Sequence, residues 1–178
     1  MKEEKPAMSQ LPFPKRLFLT WENVDKLIDI LIPQFEREYN AMVIITRGGI
    51  IPGGMLAEAL NIQHILTAAV DFPAENNRNK SLFEWPDFIQ FPPDEAITRR
   101  TTLIVDDVWG SGRTITAVKN RVAAAGAFPD TCVLHYNPYR TLFNNMKPDY
   151  YAEVTDARII YPWEISRGSD KMRVNDLF

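Results

Sequence analysis

One stretch near the middle of the chain, Thr102 to Thr114 (TLIVDDVWGSGRT), limits the possible folds more than any other part of the sequence. Its apolar run, Leu103 to Val105, is typical of a parallel strand that is covered on both faces of its sheet. Two acids follow at once, and a turn of small residues, Gly110 to Thr114, then opens a segment that we predict to be helical. The stretch therefore predicts a buried strand, a loop and a helix of an α/β protein.

The rest of the chain repeats this alternation. Short apolar runs predict strands, and longer segments with apolar residues at helical spacing predict helices. Strands that alternate with helices indicate a mostly parallel, twisted sheet with helices on its faces. The further predicted elements are strands at Met42–Ile45, His64–Val70, Cys132–Tyr136 and Tyr150–Val154, and helices around Pro52–Leu60 and Thr114–Ala125.

A first helix is predicted after Thr20, whose hydroxyl can accept a hydrogen bond from a free backbone N–H and so act as an N-cap. Pro33 is expected to kink or shorten this helix, because proline lacks the N–H that a helix interior needs. The apolar residues at helical spacing are Val24, Leu27, Ile28, Leu31 and Phe35.

The length of 178 residues fits one domain, which we predict at 17–178 after a flexible N-terminal arm at 1–16. Only Asp71 to Arg100 breaks the alternation of elements. This segment is rich in proline, asparagine and aromatic residues, and segments of this length without periodicity are usually functional. We expect a flexible lid or a hood near an active site, with a structural excursion or a dimer arm as the alternative.

Charge and cysteine content exclude several classes of function. A net charge of −3 and a pI near 5.4 argue against binding to nucleic acid, and no apolar run is long enough for a membrane span. A single cysteine, Cys132, and the lack of a secretory signal favour the cytoplasm. His64 and His135 have no partners at metal-ligand spacing, so a structural zinc ion is not expected.

Asp106 and Asp107 follow the predicted strand at the end where open α/β sheets bind ligands. Two adjacent carboxylates can accept hydrogen bonds from vicinal ribose hydroxyls or hold Mg²⁺. The following turn offers backbone N–H groups and a helix N-terminus to a phosphate, and it lacks the lysine of a Walker A loop and the third glycine of a dinucleotide fingerprint. We therefore predict a site for a phosphorylated ribose. Its phosphate loop is Gly110, Ser111, Gly112, Arg113 and Thr114.

These residues resemble a known motif. VDDVWGSGRT is similar to the phosphoribosyl pyrophosphate (PRPP) motif of type I phosphoribosyltransferases, and TRGGIIPGG at 46–54 resembles the pyrophosphate loop of the xanthine, hypoxanthine and guanine branch. A weaker likeness to that branch is RIIYPWE at 158–164, which resembles a segment of the nucleobase hood. With it, the likeness covers roughly Leu19 to Glu164.

The resemblance implies the type I phosphoribosyltransferase fold with a small hood, and Mg²⁺-assisted transfer of a phosphoribosyl group from PRPP to a nucleobase with release of pyrophosphate. Arg47, Asp106 and Asp107 would be catalytic, and the two acids would hold Mg²⁺ directly or through PRPP. Thr46, Gly48 and Gly49 would bind PRPP together with those residues and the phosphate loop. The resemblance also suggests a homodimer or a higher homo-oligomer.

The base pocket departs from the pattern of enzymes for 6-oxopurines. Gly110 stands where those enzymes place an acid that meets the purine N7 proton, and Asn137 stands where they carry a lysine before proline. Arg158 aligns with their stacking tryptophan. The residues predicted to contact the base are Asn137, Arg158 and Ile159. A purine-like acceptor is the leading interpretation, with a PRPP-binding regulator or transfer to a different acceptor as alternatives.

Overall fold

The computed structural model describes residues 15–72, 85–143 and 145–164. Strands and helices alternate along most of this part of the chain, as the sequence predicts. The strands are β1 (Arg16–Phe18), β2 (Ala41–Ile45), β3 (Ile65–Asp71), β4 (Asp87–Gln90), β5 (Thr101–Trp109), β6 (Phe128–Tyr136), β7 (Tyr150–Val154) and β8 (Arg158–Ile160). The α-helices are α1 (Trp21–Leu31), α2 (Ile50–Ala59), α3 (Asp94–Ile97) and α4 (Arg113–Ala124).

Six strands form the main sheet in the order β4-β3-β2-β5-β6-β7. All neighbouring pairs are parallel except β3 with β4, which is antiparallel. The strands β1 and β8 pair in parallel as a separate two-stranded sheet. The predicted fold class, α/β with a mostly parallel sheet flanked by helices, is confirmed.

Side chains of the central strands alternate between two buried clusters. Met42 and Leu103 pack with helices α1 and α2 on one face, while Val43 and Ile104 pack with α4 on the other. All four side chains are fully buried. Because both faces are covered, these strands are apolar without interruption, which is why the runs were visible in the sequence.

The start of α1 is set locally. The Thr20 hydroxyl accepts a hydrogen bond from the Asn23 N–H at 3.2 Å, and the Asn23 side chain accepts one from the Thr20 N–H at 2.9 Å. This reciprocal cap stabilises a helix by about 1 kcal/mol. The α-helix ends at Leu31, and a short 3-10 helix, Ile32–Gln34, contains Pro33, so the predicted shortening is confirmed.

Several features of the fold were not predicted. Strand β5 continues past Val105 to Trp109, so Asp106 and Asp107 lie within the strand rather than after it. Beyond Val105 only β6 pairs with β5, because the pairing with β2 ends at Ile44 and Val105. The pair of β1 and β8 is too short for periodicity to reveal.

The segment 71–100 has regular structure in its second half. Strand β4 pairs with β3, and Ile97 of α3 is fully buried against the sheet. Residues 73–84, which include Phe83, lie outside the described residues, so a lid stays a prediction. The predicted arm at 1–16 also lies outside them apart from Lys15 and Arg16, and Arg16 pairs with Arg158.

Candidate active site

The two predicted ligand-binding motifs meet at the carboxyl ends of β2 and β5. These strands are neighbours, and Ile44 is paired with Val105 in the last step of their register. The loop from Thr46 to Gly49 therefore leaves the sheet beside Asp106 and Asp107. The peptide bond between Thr46 and Arg47 is cis.

Two glycines allow this close approach. A Cβ atom on Gly48 would lie 2.6 Å from the carboxylate atoms of Asp107. A Cβ atom on Gly49 would lie 2.3 Å from the Val105 carbonyl oxygen and 2.8 Å from that of Ile45. At Gly49 the close atoms belong to the backbone, so only glycine fits there, whereas a side chain at position 48 would require the Asp107 carboxylate to move. The two glycines therefore allow the loop to lie against the acidic pair.

A cavity of about 530 Å³ lies at this junction. It is lined in part by predicted residues and in part by Trp163 and Glu164, which follow β8. Its predicted lining residues are Thr46, Arg47, Gly48, Asp106, Asp107 and Thr114. The structure thus joins residues from both motifs, and from the end of the described chain, in one site.

The acidic pair lies in surroundings that disfavour negative charge, although both residues keep part of their surface open. Burial raises the pKa of Asp107 to about 6, and the nearby Glu164 carboxylate adds to the rise. Burial, and then the charge of Asp107, raise the pKa of Asp106 well above its ordinary range. A hydrogen bond from the Asp107 N–H to Asp106 Oδ1, at 3.0 Å, partly opposes that rise. The pair is thus suited to a cation or to hydroxyl donors.

The predicted phosphate loop turns from β5 into α4. Gly112 precedes the helix with a φ of 80°, and a Cβ there would lie 2.5 Å from Trp109 Nε1. The Arg113 guanidinium lies over the Phe72 ring, 4.1 Å from its centre. Thr114 lines the cavity, whereas a Cβ on Gly110 would meet no atom within 4 Å. The loop is tightly packed at Gly112 and has space at Gly110.

Comparison with known proteins decides the fold. The sequence matches no protein-family model and no curated protein. The structure is similar to that of a purine phosphoribosyltransferase from Pyrococcus horikoshii Ot3, with a TM-score of 0.71, 28% identity, and coverage of 88% of this chain and 99% of that one. The chain has the type I phosphoribosyltransferase fold.

Two further structures show the same fold at lower identity. The Helicobacter pylori xanthine-guanine-hypoxanthine phosphoribosyltransferase matches with a TM-score of 0.71 and 15% identity, over 91% of this chain and 97% of that one. A hypothetical protein from Neisseria gonorrhoeae with bound ppGpp matches with a TM-score of 0.71 and 22% identity, over 93% and 95%. The predicted resemblance is confirmed, and the predicted enzyme class is that of the two phosphoribosyltransferases among these neighbours, which are glycosyltransferases.

Within the phosphoribosyltransferase fold, the three residues predicted to contact a base do not line the cavity. Asn137 is buried, and its Oδ1 accepts a hydrogen bond from the Tyr139 N–H at 3.1 Å. The side chain thus stabilises the turn that follows β6. Ile159 is buried among apolar residues between the sheet and α1. Arg158 is exposed on β8. Their contact with a base stays a prediction.

Sequence reasoning gave too little weight to the end of the described chain. The segment 158–164 was predicted only by a weak likeness to a nucleobase hood, yet Trp163 and Glu164 line the cavity beside Asp107. Tyr161, which was named only as part of that segment, is 1% exposed and donates a hydrogen bond from its hydroxyl to the Asp107 carbonyl oxygen at 2.9 Å. The one signal for these residues was the cluster Tyr-Pro-Trp-Glu itself.

Proposed function

We propose that the chain transfers the 5-phosphoribosyl group of PRPP to a purine-like nucleobase and releases pyrophosphate. The observation that carries the proposal is the contact of Gly48 with the Asp107 carboxylate, because it joins a pyrophosphate-type loop to a ribose-type acidic pair in one cavity. Two of the structural neighbours, the purine phosphoribosyltransferase and the xanthine-guanine-hypoxanthine phosphoribosyltransferase, support the choice of acceptor.

In this proposal each part of PRPP has its own partner. The ribose hydroxyls donate hydrogen bonds to Asp106 and Asp107, whose carboxylates are the acceptors that line the cavity. The 5-phosphate binds at Gly110 to Thr114, where backbone N–H groups and the start of α4 favour an anion. Arg47, which is exposed at the cavity, offers its guanidinium to the pyrophosphate.

The donor set also fits Mg²⁺, which prefers carboxylate oxygens and usually keeps ligands from substrate phosphates and water. Asp106 and Asp107 are the residues that would hold it. Within 15–72, 85–143 and 145–164, no group of three acidic, histidine or cysteine side chains could hold a metal ion alone. A bound Mg²⁺ would neutralise charge on the pyrophosphate, and a site that is completed by PRPP agrees with both observations.

The reaction breaks the bond between C1 of the ribose and a pyrophosphate oxygen and forms a bond from C1 to a ring nitrogen of the base. The electron pair of the broken bond leaves with the pyrophosphate, and the ring nitrogen loses its proton. The chain contributes by holding both ends of PRPP and by placing donors at the departing charge. Gly110 provides no side chain to accept the proton, so the proton passes to water or to another group.

The lack of an acid at the position of Gly110 also favours a second candidate function. A PRPP-binding regulator on the same fold would keep the phosphate loop and the acidic pair but would need no proton acceptor beside a base. Transfer to a different acceptor, such as an amine, would also keep both and would need no acid that meets a purine N7 proton, although the amine would still lose a proton to water or another group. Fold alone does not separate these functions, because one fold hosts many.

Two measurements test the proposal. PRPP with Mg²⁺ is expected to raise the melting temperature, and the double variant Asp106→Ala/Asp107→Ala is expected to lose that shift. Pyrophosphate release from PRPP is then measured with hypoxanthine, xanthine, guanine and a panel of amines. Release with a purine supports the enzyme, while binding without release in every case supports the regulator. An equal thermal shift in the double variant would reject the site.

We also propose a homodimer or higher homo-oligomer and a cytoplasmic location. Light scattering of the purified protein tests the first, and fractionation of cells that express it tests the second. In the described part of the chain, no helix has the length and apolar character needed to span a membrane.

A further inference from the structure

A chain of three polar groups runs from the buried side of β6 to the acidic pair. The ring nitrogen Nδ1 of His135 lies 2.8 Å from the Tyr161 hydroxyl, and that hydroxyl lies 2.9 Å from the Asp107 carbonyl oxygen. His135 and Tyr161 are each 1% exposed. Both contacts are short and buried, so the donor and the acceptor of each hydrogen bond can be assigned.

Only one arrangement of protons satisfies both contacts. The carbonyl oxygen of Asp107 can only accept, so the single proton of the Tyr161 hydroxyl must point at it. The hydroxyl oxygen then accepts from His135, which must carry its proton on Nδ1. His135 Nε2 is buried without a hydrogen-bond partner, and Glu153 Oε2 lies 3.7 Å from it, beyond hydrogen-bond distance. Burial lowers the pKa of His135 to about 4, which keeps the ring neutral.

Tyr161 also organises the part of the cavity wall that follows β8. Its ring stacks on Trp163 with 4.5 Å between ring centres and 6° between planes. Its backbone N–H donates a hydrogen bond to Glu164 Oε1 at 3.1 Å. One buried residue therefore contacts the acidic pair through its hydroxyl, Trp163 through its ring and Glu164 through its backbone.

We propose that Tyr161 is a positioning residue that holds the Asp107 backbone in the geometry required to bind PRPP, and that His135 directs its hydroxyl proton toward Asp107. This role rests on the proposed function. Asp107 lies in a part of β5 that has lost one of its two neighbouring strands, because β2 no longer pairs with β5 beyond Val105. Tyr161 touches no substrate in this proposal and acts through Asp107.

The variant Tyr161→Phe removes the hydroxyl and keeps the ring that stacks on Trp163. Its matched control is Tyr39→Phe, because Tyr39 is 8% exposed and its hydroxyl is hydrogen-bonded to Asp130 at 2.6 Å and to Tyr150 at 3.0 Å. Tyr39 precedes β2 and thus lies at the opposite end of the sheet from the cavity. Both variants lose a buried hydroxyl, so both are expected to lower the melting temperature.

Calorimetric titration with PRPP and Mg²⁺ separates positioning from stability. We expect Tyr161→Phe to raise the Kd for PRPP about tenfold, and Tyr39→Phe to leave it within twofold of wild type. In turnover, the KM for PRPP should rise in Tyr161→Phe while the KM for the base stays within twofold. An unchanged Kd in Tyr161→Phe, with binding by wild type intact, would overturn the positioning role alone. Absence of PRPP binding by the wild-type protein would reject the proposed function and this role together.

Two variants of His135 test the second half of the proposal, and they also test the first if Tyr161→Phe fails to fold. His135→Asn can keep an N–H donor near the position of Nδ1, whereas His135→Leu cannot. We expect His135→Asn to retain the wild-type Kd within about threefold and His135→Leu to raise it about tenfold. Equal Kd values for these two variants would show that the donor from His135 has no part in positioning.

Discussion

The two loops that form the candidate site differ in how much space they leave. At Gly49, a single added carbon would lie 2.3 Å from a backbone oxygen of β5. At Gly110, an added carbon would meet nothing within 4 Å. The first loop is therefore held by backbone packing that allows one residue type, while the second has space in which a side chain could act. This contrast agrees with the proposed function, in which the first loop binds pyrophosphate and Gly110 offers no side chain to the acceptor.

The substitution Gly49→Ala should break the tight loop. Its Cβ would collide with main-chain oxygens of Val105 and Ile45, neither of which can rotate away. We expect a loss of about 3 kcal/mol in the free energy of unfolding, or failure to fold, measured by urea denaturation. Gly54→Ala is the control, because Gly54 lies in α2, is exposed and would meet no atom. It should stabilise the protein by up to about 1 kcal/mol, and a similar loss in both variants would contradict the contrast.

The substitution Asp107→Asn tests whether the carboxylate beside the first loop must be ionised for PRPP to bind. The amide keeps the shape of the side chain but cannot accept with a full charge, so the Kd for PRPP with Mg²⁺ should rise about 100-fold in a calorimetric titration. Asp130→Asn serves as the control, since Asp130 bonds Tyr39 away from the cavity. A Kd within threefold of wild type in Asp107→Asn would remove Asp107 from the site.

The raised pKa of Asp107 predicts how stability depends on pH. Because the pKa is raised to about 6 from 3.8, the stabilising effect of the protonated acid is complete below about pH 4 and is lost as the pH rises through about 6. In the ligand-free protein, Asp107→Asn should gain stability over wild type by about 1 kcal/mol per pH unit in that window. Urea denaturation of both proteins between pH 4 and pH 8 measures the difference. A constant difference would mean that Asp107 has an ordinary pKa.

The substitution Gly110→Asp uses the free space in the second loop. We expect the new carboxylate to accept a proton from the base and to raise kcat/KM for a 6-oxopurine about tenfold, with the free energy of unfolding unchanged within about 0.5 kcal/mol. Gly110→Asn is the control for size without charge. Equal activity of the two variants would place the acceptor away from this loop.

Arg158→Ala should have the smallest effect. The side chain is exposed on β8 and does not line the cavity, so the KM for the base should change by less than twofold. Arg158→Lys is the matched variant that keeps the charge. A rise in KM of tenfold in Arg158→Ala alone would support the predicted contact of Arg158 with the base.

Local features of the chain could be read without a structure. The cap at Thr20, the apolar run before Asp106 and the small-residue turn into α4 depend on neighbours a few residues apart. Their spacing also placed Asp106, Asp107 and Thr114 in a site. Other features could not be predicted, because the pairing of β1 with β8 and the extension of β5 along β6 join residues that are far apart in sequence.

Short-range patterns were enough to predict the alternating α/β elements, the acidic pair and the small-residue turn into α4, because periodicity and turn chemistry act over short distances. Tertiary structure alone decided that Gly48 lies against Asp107, that the Tyr161 hydroxyl contacts both Asp107 and His135, and that Asn137 and Ile159 are buried away from the cavity. The physical reason is that strand order and close packing decide which distant residues meet. No local pattern carries that information.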